Sequence, residues 1–146
     1  MKEKRILNQR GFTLIEIMVV VIILGILAGL VVPRLLEEPE KARITTAKVQ
    51  MKSIGDALSQ FKLDNGFFPE TEQGLQALVI KPEIGRIPKK YREGGYMKSI
   101  PLDPWGTPYA YLSPGVHDDF DLISFGADGE PGGEGNDADI ESWNIQ

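Results

Sequence analysis

The chain has 146 residues, with 16 Lys and Arg against 21 Asp and Glu for a net charge of −5, one histidine and no cysteine. No disulfide can staple it and no thiol can serve as a nucleophile. The charge is also uneven. All sixteen basic residues lie at or before Lys98, whereas residues 99–146 carry ten acids and no Lys or Arg. That balance argues against a nucleic-acid partner, because phosphate binding takes clustered Lys and Arg.

Lys2, Lys4, Arg5 and Arg10 face a single acid, Glu3, ahead of an apolar run from Thr13 to Val32 whose only ionisable side chain is Glu16. About 20 residues at a 1.5 Å rise span roughly the 30 Å of a bilayer's hydrocarbon core. The basic flank keeps the start of the chain in the cytoplasm and sends the residues beyond Val32 across the membrane. Val31-Val32-Pro33-Arg34 offers no small-residue cleavage site, so a removable secretory signal does not fit. A plain signal anchor leaves Glu16 unexplained. A charged residue costs about 2.5–3.5 kcal/mol at the centre of a membrane helix and less near its end, so the carboxylate calls for a partner.

Arg10-Gly11-Phe12-Thr13-Leu14-Ile15-Glu16 resembles the processing site of type IV pilins and of the pseudopilins of type II secretion. The resemblance implies that a prepilin peptidase cuts between Gly11 and Phe12 on the cytoplasmic side and that the new amine of Phe12 is methylated. It also implies that Glu16 attracts the N-terminal amine of a neighbouring subunit during assembly. An amine with a pKa near 8 is still largely protonated at neutral pH and can offset the cost of a carboxylate in lipid. Loss of residues 1–11 removes net +3, taking the mature chain from −5 to −8.

Within the membrane run, Gly25 and Gly29 form a small-xxx-small pair, which suits close helix approach as well as the general frequency of glycine in membrane helices. Pro33 cannot donate to the helical ladder and is expected to kink it, and Pro39 adds a second weak point. Beyond it, Ala47, Met51, Ile54, Leu58 and Phe61 recur at spacings that place them on one stripe, the surface on which a soluble domain packs. Asp64-Asn65-Gly66 ends that helix with a glycine cap. Glu70 to Leu78 reads as a short helix with Leu75, Leu78 and Val79 inward, and residues 81–99, rich in Pro and Gly, as loop with at most one helical turn. Strands are expected at Pro108–Leu112, Phe120–Phe125 and Ile140–Ile145, forming an antiparallel meander on the helix stripe.

Phe68-Pro69, Thr71-Glu72-Gln73-Gly74-Leu75-Gln76-Ala77-Leu78, Gly94-Gly95-Tyr96 and Asp103-Pro104-Trp105-Gly106 are similar to the major pseudopilins of type II secretion rather than to pilins at large. With the leader, the resemblance covers nearly the whole chain. The expected fold is α+β and pilin-like, a long N-terminal helix packed on a small antiparallel sheet. Its parts are a cytoplasmic leader (1–11), a transmembrane and assembly helix (12–33), an amphipathic periplasmic helix (34–65) and a globular domain (66–146).

Residues 125–140 crowd acids around five glycines, and nothing in that composition orders them by packing. Hard oxygen ligands with no His or Cys nearby select calcium over transition metals. The spacing is not that of an EF-hand. Composition leaves a solvated acidic loop and a calcium loop equally open; similarity to the major pseudopilins, which bind calcium here, implies Ca2+. Carried over, Asp128 and Asp139 are the ligands, with Asp137 and the backbone carbonyls of Phe125 and Glu130 beside them. His117, next to Asp118 and Asp119, reads as a turn residue, and Ser113, Ser124 and Ser142 lack any motif that would activate them.

The expected role is structural: a subunit of the inner membrane, its C-terminal domain in the periplasm, that forms a helical homo-oligomeric filament with minor pseudopilins on an inner-membrane assembly platform. The filament pushes folded proteins through an outer-membrane channel. A type IV pilin used for adhesion, motility or DNA uptake is the alternative, and a membrane-anchored calcium-dependent enzyme is a third.

Overall fold

The computed structural model describes residues 11–145, with the backbone alone for 30–38. One helix, α1 (Leu14–Asn65), accounts for 52 residues. It is followed by a 3-10 turn at Leu75–Leu78, strands β1 (Ala110–Leu112), β2 (Asp121–Ser124) and β3 (Ile140–Glu141), and 3-10 turns at Gly135–Asp137 and Ser142–Asn144. The chain divides into two compact units at the Pro39–Glu40 junction. The helical assignment nevertheless runs through Pro33 and Pro39, so neither proline ends α1.

In the first unit, the large apolar side chains from Phe12 to Leu27 are half or more exposed, because among the described residues of that unit no other element packs on them. Among the described residues no helix is long and apolar enough to cross a membrane. The apolar sequence continues through Leu30, Val31 and Val32, whose side chains lie outside the described residues. The leader expected at 1–11 lies outside them as well, apart from Gly11.

The second unit is built on the anticipated stripe. Ala47, Met51, Ile54, Leu58 and Phe61 are all buried, each at 2% exposure or less, and face Leu75, Leu78, Tyr109, Leu122 and Ile140. Burying a Leu or Phe side chain contributes about 1.5–3 kcal/mol, so this seam is the main stabilising contact of the unit. At the end of α1, Phe61 meets Phe67, Tyr91 and Tyr96 with ring centroids 5.2–6.3 Å apart. Edge-to-face contacts there set the positively charged ring edges against π faces. Gly66 then takes φ 82° and donates its N–H to the Lys62 carbonyl, the left-handed cap expected from Asp64-Asn65-Gly66.

The sheet is antiparallel in the order β1-β2-β3, with Tyr111 opposite Leu122 and Ser124 opposite Ile140. Two expectations need correction. The third strand stops at Glu141, because Ser142–Asn144 turns into a 3-10 helix and lays the Trp143 ring 3.9 Å from the His117 ring. Glu70–Leu78 is a turn plus one 3-10 turn rather than an α-helix, whereas residues 81–99 form bends and turns, the loop expected there.

Candidate functional site

At the start of α1, Thr13 and Glu16 satisfy one another. The Thr13 backbone N–H donates to Glu16 Oε2 at 2.8 Å and the Thr13 hydroxyl donates to the same oxygen at 3.1 Å, while the Glu16 N–H donates to Thr13 Oγ1 at 3.3 Å. This is a capping box, in which a Thr and a Glu three residues on share the unpaired donors of the first turn. The positive end of the helix dipole also favours a carboxylate there. Sequence reasoning assigned Glu16 only an intermolecular partner and missed this one; Thr-x-x-Glu ahead of an apolar run was the available signal. Phe12 is 83% exposed, and among the described residues a Cβ added at Gly11 would meet nothing within 4 Å. The fold itself therefore places no demand for glycine at position 11.

The acidic loop is held by backbone contacts more than by side chains. Ala127 N–H donates to the Asn136 carbonyl at 3.1 Å, which closes the loop across its middle. Gly133 has φ 86°, and a Cβ there would fall 2.4 Å from the Asp137 carbonyl oxygen, so only glycine fits. Asp128 Oδ1 accepts from the Glu130 N–H at 3.1 Å and Asp139 Oδ2 from the Gly132 N–H at 3.0 Å. Both carboxylates thus grip the turn at 128–132, one from each side.

Asp139 Oδ1 is different: it is buried and has no hydrogen-bond partner, the single such side-chain atom among the described residues. An unpaired polar atom removed from water costs about 1–3 kcal/mol, more when charged, and a hard cation would supply the missing partner. The residues thus fit a calcium ion in donor type, with Asp139 offering the orphaned oxygen. Asp137, at the end of the 3-10 turn Gly135–Asp137, is exposed, and its carboxylate makes no hydrogen bond or ion pair among the described residues. Among the described residues no three carboxylates converge as a metal cluster, so the remaining donors would be backbone carbonyls such as those of Phe125 and Glu130.

The segments that carried the resemblance turn out to position elements. Asp103, 4% exposed, accepts from the N–H groups of Trp105 and Thr107 at 3.1 and 2.7 Å and from the buried Ser124 hydroxyl at 2.7 Å. It thereby presents Trp105, whose Nε1 donates to Glu40 Oε2 at 3.1 Å, at the first residue of the second unit. The same segment abuts the acidic loop, since a Cβ on Gly129 would lie 3.3 Å from Thr107 Oγ1. Gln73, also buried, donates to the Ile84 and Arg86 carbonyls at 2.6 and 3.0 Å and pins the loop that contains them.

His117 is more than a turn residue. Its Nδ1 lies 3.1 Å from Asp121 Oδ2, and its ring stacks on Trp143. Asp121 is 3% exposed. Burial pushes its carboxyl up, but the N–H groups of Val116, Asp118 and His117 together with the His117 ring outweigh that and hold it below the usual carboxylate range.

Comparison with known proteins places these features in one family. Residues 34–143 match the family described as type II secretion system (T2SS), protein G, and residues 6–32 match the prokaryotic N-terminal methylation motif. A type II secretion system core protein G of Pseudomonas aeruginosa is 57% identical over 136 residues, covering 93% of this chain and 96% of its own length. Its counterpart in Vibrio cholerae is 54% identical over 143 residues, covering 98% of this chain and 97% of its own. The crystal structure of the major pseudopilin of enterohaemorrhagic Escherichia coli superposes with a TM-score of 0.69 at 40% identity, over 77% of this chain and 96% of that one. With the family match spanning the stripe of α1, the three-stranded sheet laid on it and the glycine-rich acidic loop beyond β2, the chain belongs to the type II secretion system protein G family.

Proposed function

We propose that this chain is the major structural subunit of a type II secretion pseudopilus, polymerising through its N-terminal helix to drive export of folded proteins across the outer membrane. The observation that carries this reading is the match to the protein G family over residues 34–143 directly behind a methylation motif at 6–32. A type IV pilin used for adhesion, motility or DNA uptake has no comparable support. The chain is stored in the inner membrane as a single-pass precursor with its C-terminal unit in the periplasm. A prepilin peptidase removes residues 1–11, and Phe12 becomes the methylated N-terminus.

Gly11 supports this order of events. The fold does not require glycine there, as a Cβ meets nothing within 4 Å, so a glycine at the cut site answers to the peptidase instead. Glu16 meets the incoming amine of a neighbour with one oxygen already bound by Thr13. Minor pseudopilins and an inner-membrane platform complete the assembly. Calcium is held in the loop 125–140 by the carboxylates of Asp128 and Asp139, with the carbonyls of Phe125 and Glu130 beside them; when bound, the ion neutralises the acids and orders the loop. The support is the orphaned Asp139 oxygen.

Mass spectrometry of the protein purified from its host tests the reading. The expected N-terminus is Phe12 carrying one methyl group, and deletion of the gene should stop exoprotein release. A mature start beyond Val32, or an unprocessed Met1, would remove the basis for it.

A further inference from the structure

A groove of about 590 Å³ runs along the second unit, on the side of α1 next to the core stripe. Val49, Gly55, Phe120 and Ile145 give it an apolar floor, and Lys48, Lys52 and Asp56 stand around it. Val49 is 64% exposed, a large apolar side chain left to water in the middle of the amphipathic helix. Gly55 is the second anomaly. Glycine within a helix is destabilising relative to alanine, yet a Cβ here would sit 3.7 Å from Phe120 Cζ, an ordinary contact, and no positive φ demands its absence. Packing within the chain therefore does not explain the glycine; a bare helix surface is what an approaching backbone or side chain from outside would need.

Charge indicates what approaches. Lys48 and Lys52, one helical turn apart, form no hydrogen bond or ion pair among the described residues. Among the described residues Asp56 is the only acid lining the groove, so the site keeps a net positive charge on a chain whose overall charge is −5. The matching surface belongs to the chain itself: residues 99–146 hold ten acids without a Lys or Arg, and Glu130 and Glu134 stand exposed on the acidic loop, their carboxylates unpaired among the described residues. We propose that the groove seats a second copy of the chain, which brings Glu130 and Glu134 of its acidic loop against Lys48 and Lys52. This rests on the filament reading and gives that filament a contact outside its N-terminal helices. Opposite charges brought together also set the register of association and suppress wrong pairings.

The test uses the full-length chain expressed with its secretion system. Because the protein has no cysteine, one copy carrying Lys52→Cys and another carrying Glu134→Cys can be coexpressed and oxidised. A disulfide-linked dimer is expected, well above the yield when Leu63→Cys, on an exposed site, replaces Lys52→Cys. In parallel, Lys48→Glu with Lys52→Glu should lower sheared filament yield at least tenfold, and adding Glu130→Lys with Glu134→Lys to the same chain should restore it. If wild-type filaments form while no specific dimer appears and the double lysine reversal assembles normally, the groove contact is wrong and the filament reading stands. If the wild-type chain forms no filament at all, both fall together.

Discussion

The capping box gives Glu16 a partner within its own chain, beside the neighbour's amine proposed for it. Its Oε2 is committed to Thr13 within the chain. Replacing Thr13 by Ala removes a cap of about 1 kcal/mol, so amide exchange of residues 14–17 in detergent should speed up about fivefold. Glu16→Ala removes the cap and the attraction for an amine together; it should insert and be cleaved, yet fail to assemble. If Thr13→Ala assembles normally while Glu16→Ala does not, the intermolecular role outweighs the local one. At Asp121 the sign of a pH effect comes from the depressed carboxyl. A group whose folded value lies below its unfolded value of about 3.9 stabilises fully above that value, and the contribution is lost as pH falls through the folded one. Denaturant midpoints should therefore drop below about pH 4, and Asp121→Asn should make that acid limb shallower.

Along α1, periodicity alone identified the buried face, because a stripe of apolar residues has no other place to go. Leu58→Ala, at a fully buried site, should cost about 2–5 kcal/mol, whereas Leu63→Ala, at an 84% exposed one, should stay within about 0.5 kcal/mol in the same chemical denaturation series. Gly55→Ala should raise stability by about 0.4–1 kcal/mol, since its Cβ is accommodated and the unfolded chain loses freedom. The third strand was less legible than the other two. Ile140 to Ile145 has strand composition, but Trp143 gains more by stacking on His117 than by extending a two-residue pairing, and His117 lies too far along the chain for local pattern to reveal that partner.

For the molecule as a whole, the α+β fold and its family were readable because the leader and the Asp-Pro-Trp-Gly and Thr-Glu-Gln-Gly segments are specific at fixed offsets. The acidic loop was readable only in part. Composition brought Asp128, Asp137 and Asp139 together on paper, whereas the fold leaves Asp137 exposed and one buried oxygen of Asp139 unpaired. A ligand that binds only the folded form stabilises it by about 2.7 kcal/mol at a hundredfold excess over Kd. Calcium should therefore raise the melting temperature of the second unit by on the order of 10 °C, and chelator should reverse the rise. Asp139→Ala should abolish the shift. Asp118→Ala should keep it, as should Asp119→Ala, which removes only the surface pair with Lys62. A melting curve indifferent to chelator would leave the loop a solvated acidic surface.

The cut proposed between Gly11 and Phe12 falls outside the Thr13–Glu16 box, so every atom that closes the first turn of α1 would remain after it. The proposed processing would rewrite only the electrical identity of the terminus: a leader of net +3 would depart and a single ammonium would appear near a carboxylate that Thr13 already holds. If Glu16 receives a neighbour's amine as proposed, the precursor carries the finished socket before it owns the plug, since an uncut chain has no amine at Phe12 to offer. On that reading an uncut chain fails to join, and sheared filaments from cells that hold cut and uncut copies should contain the cut form alone.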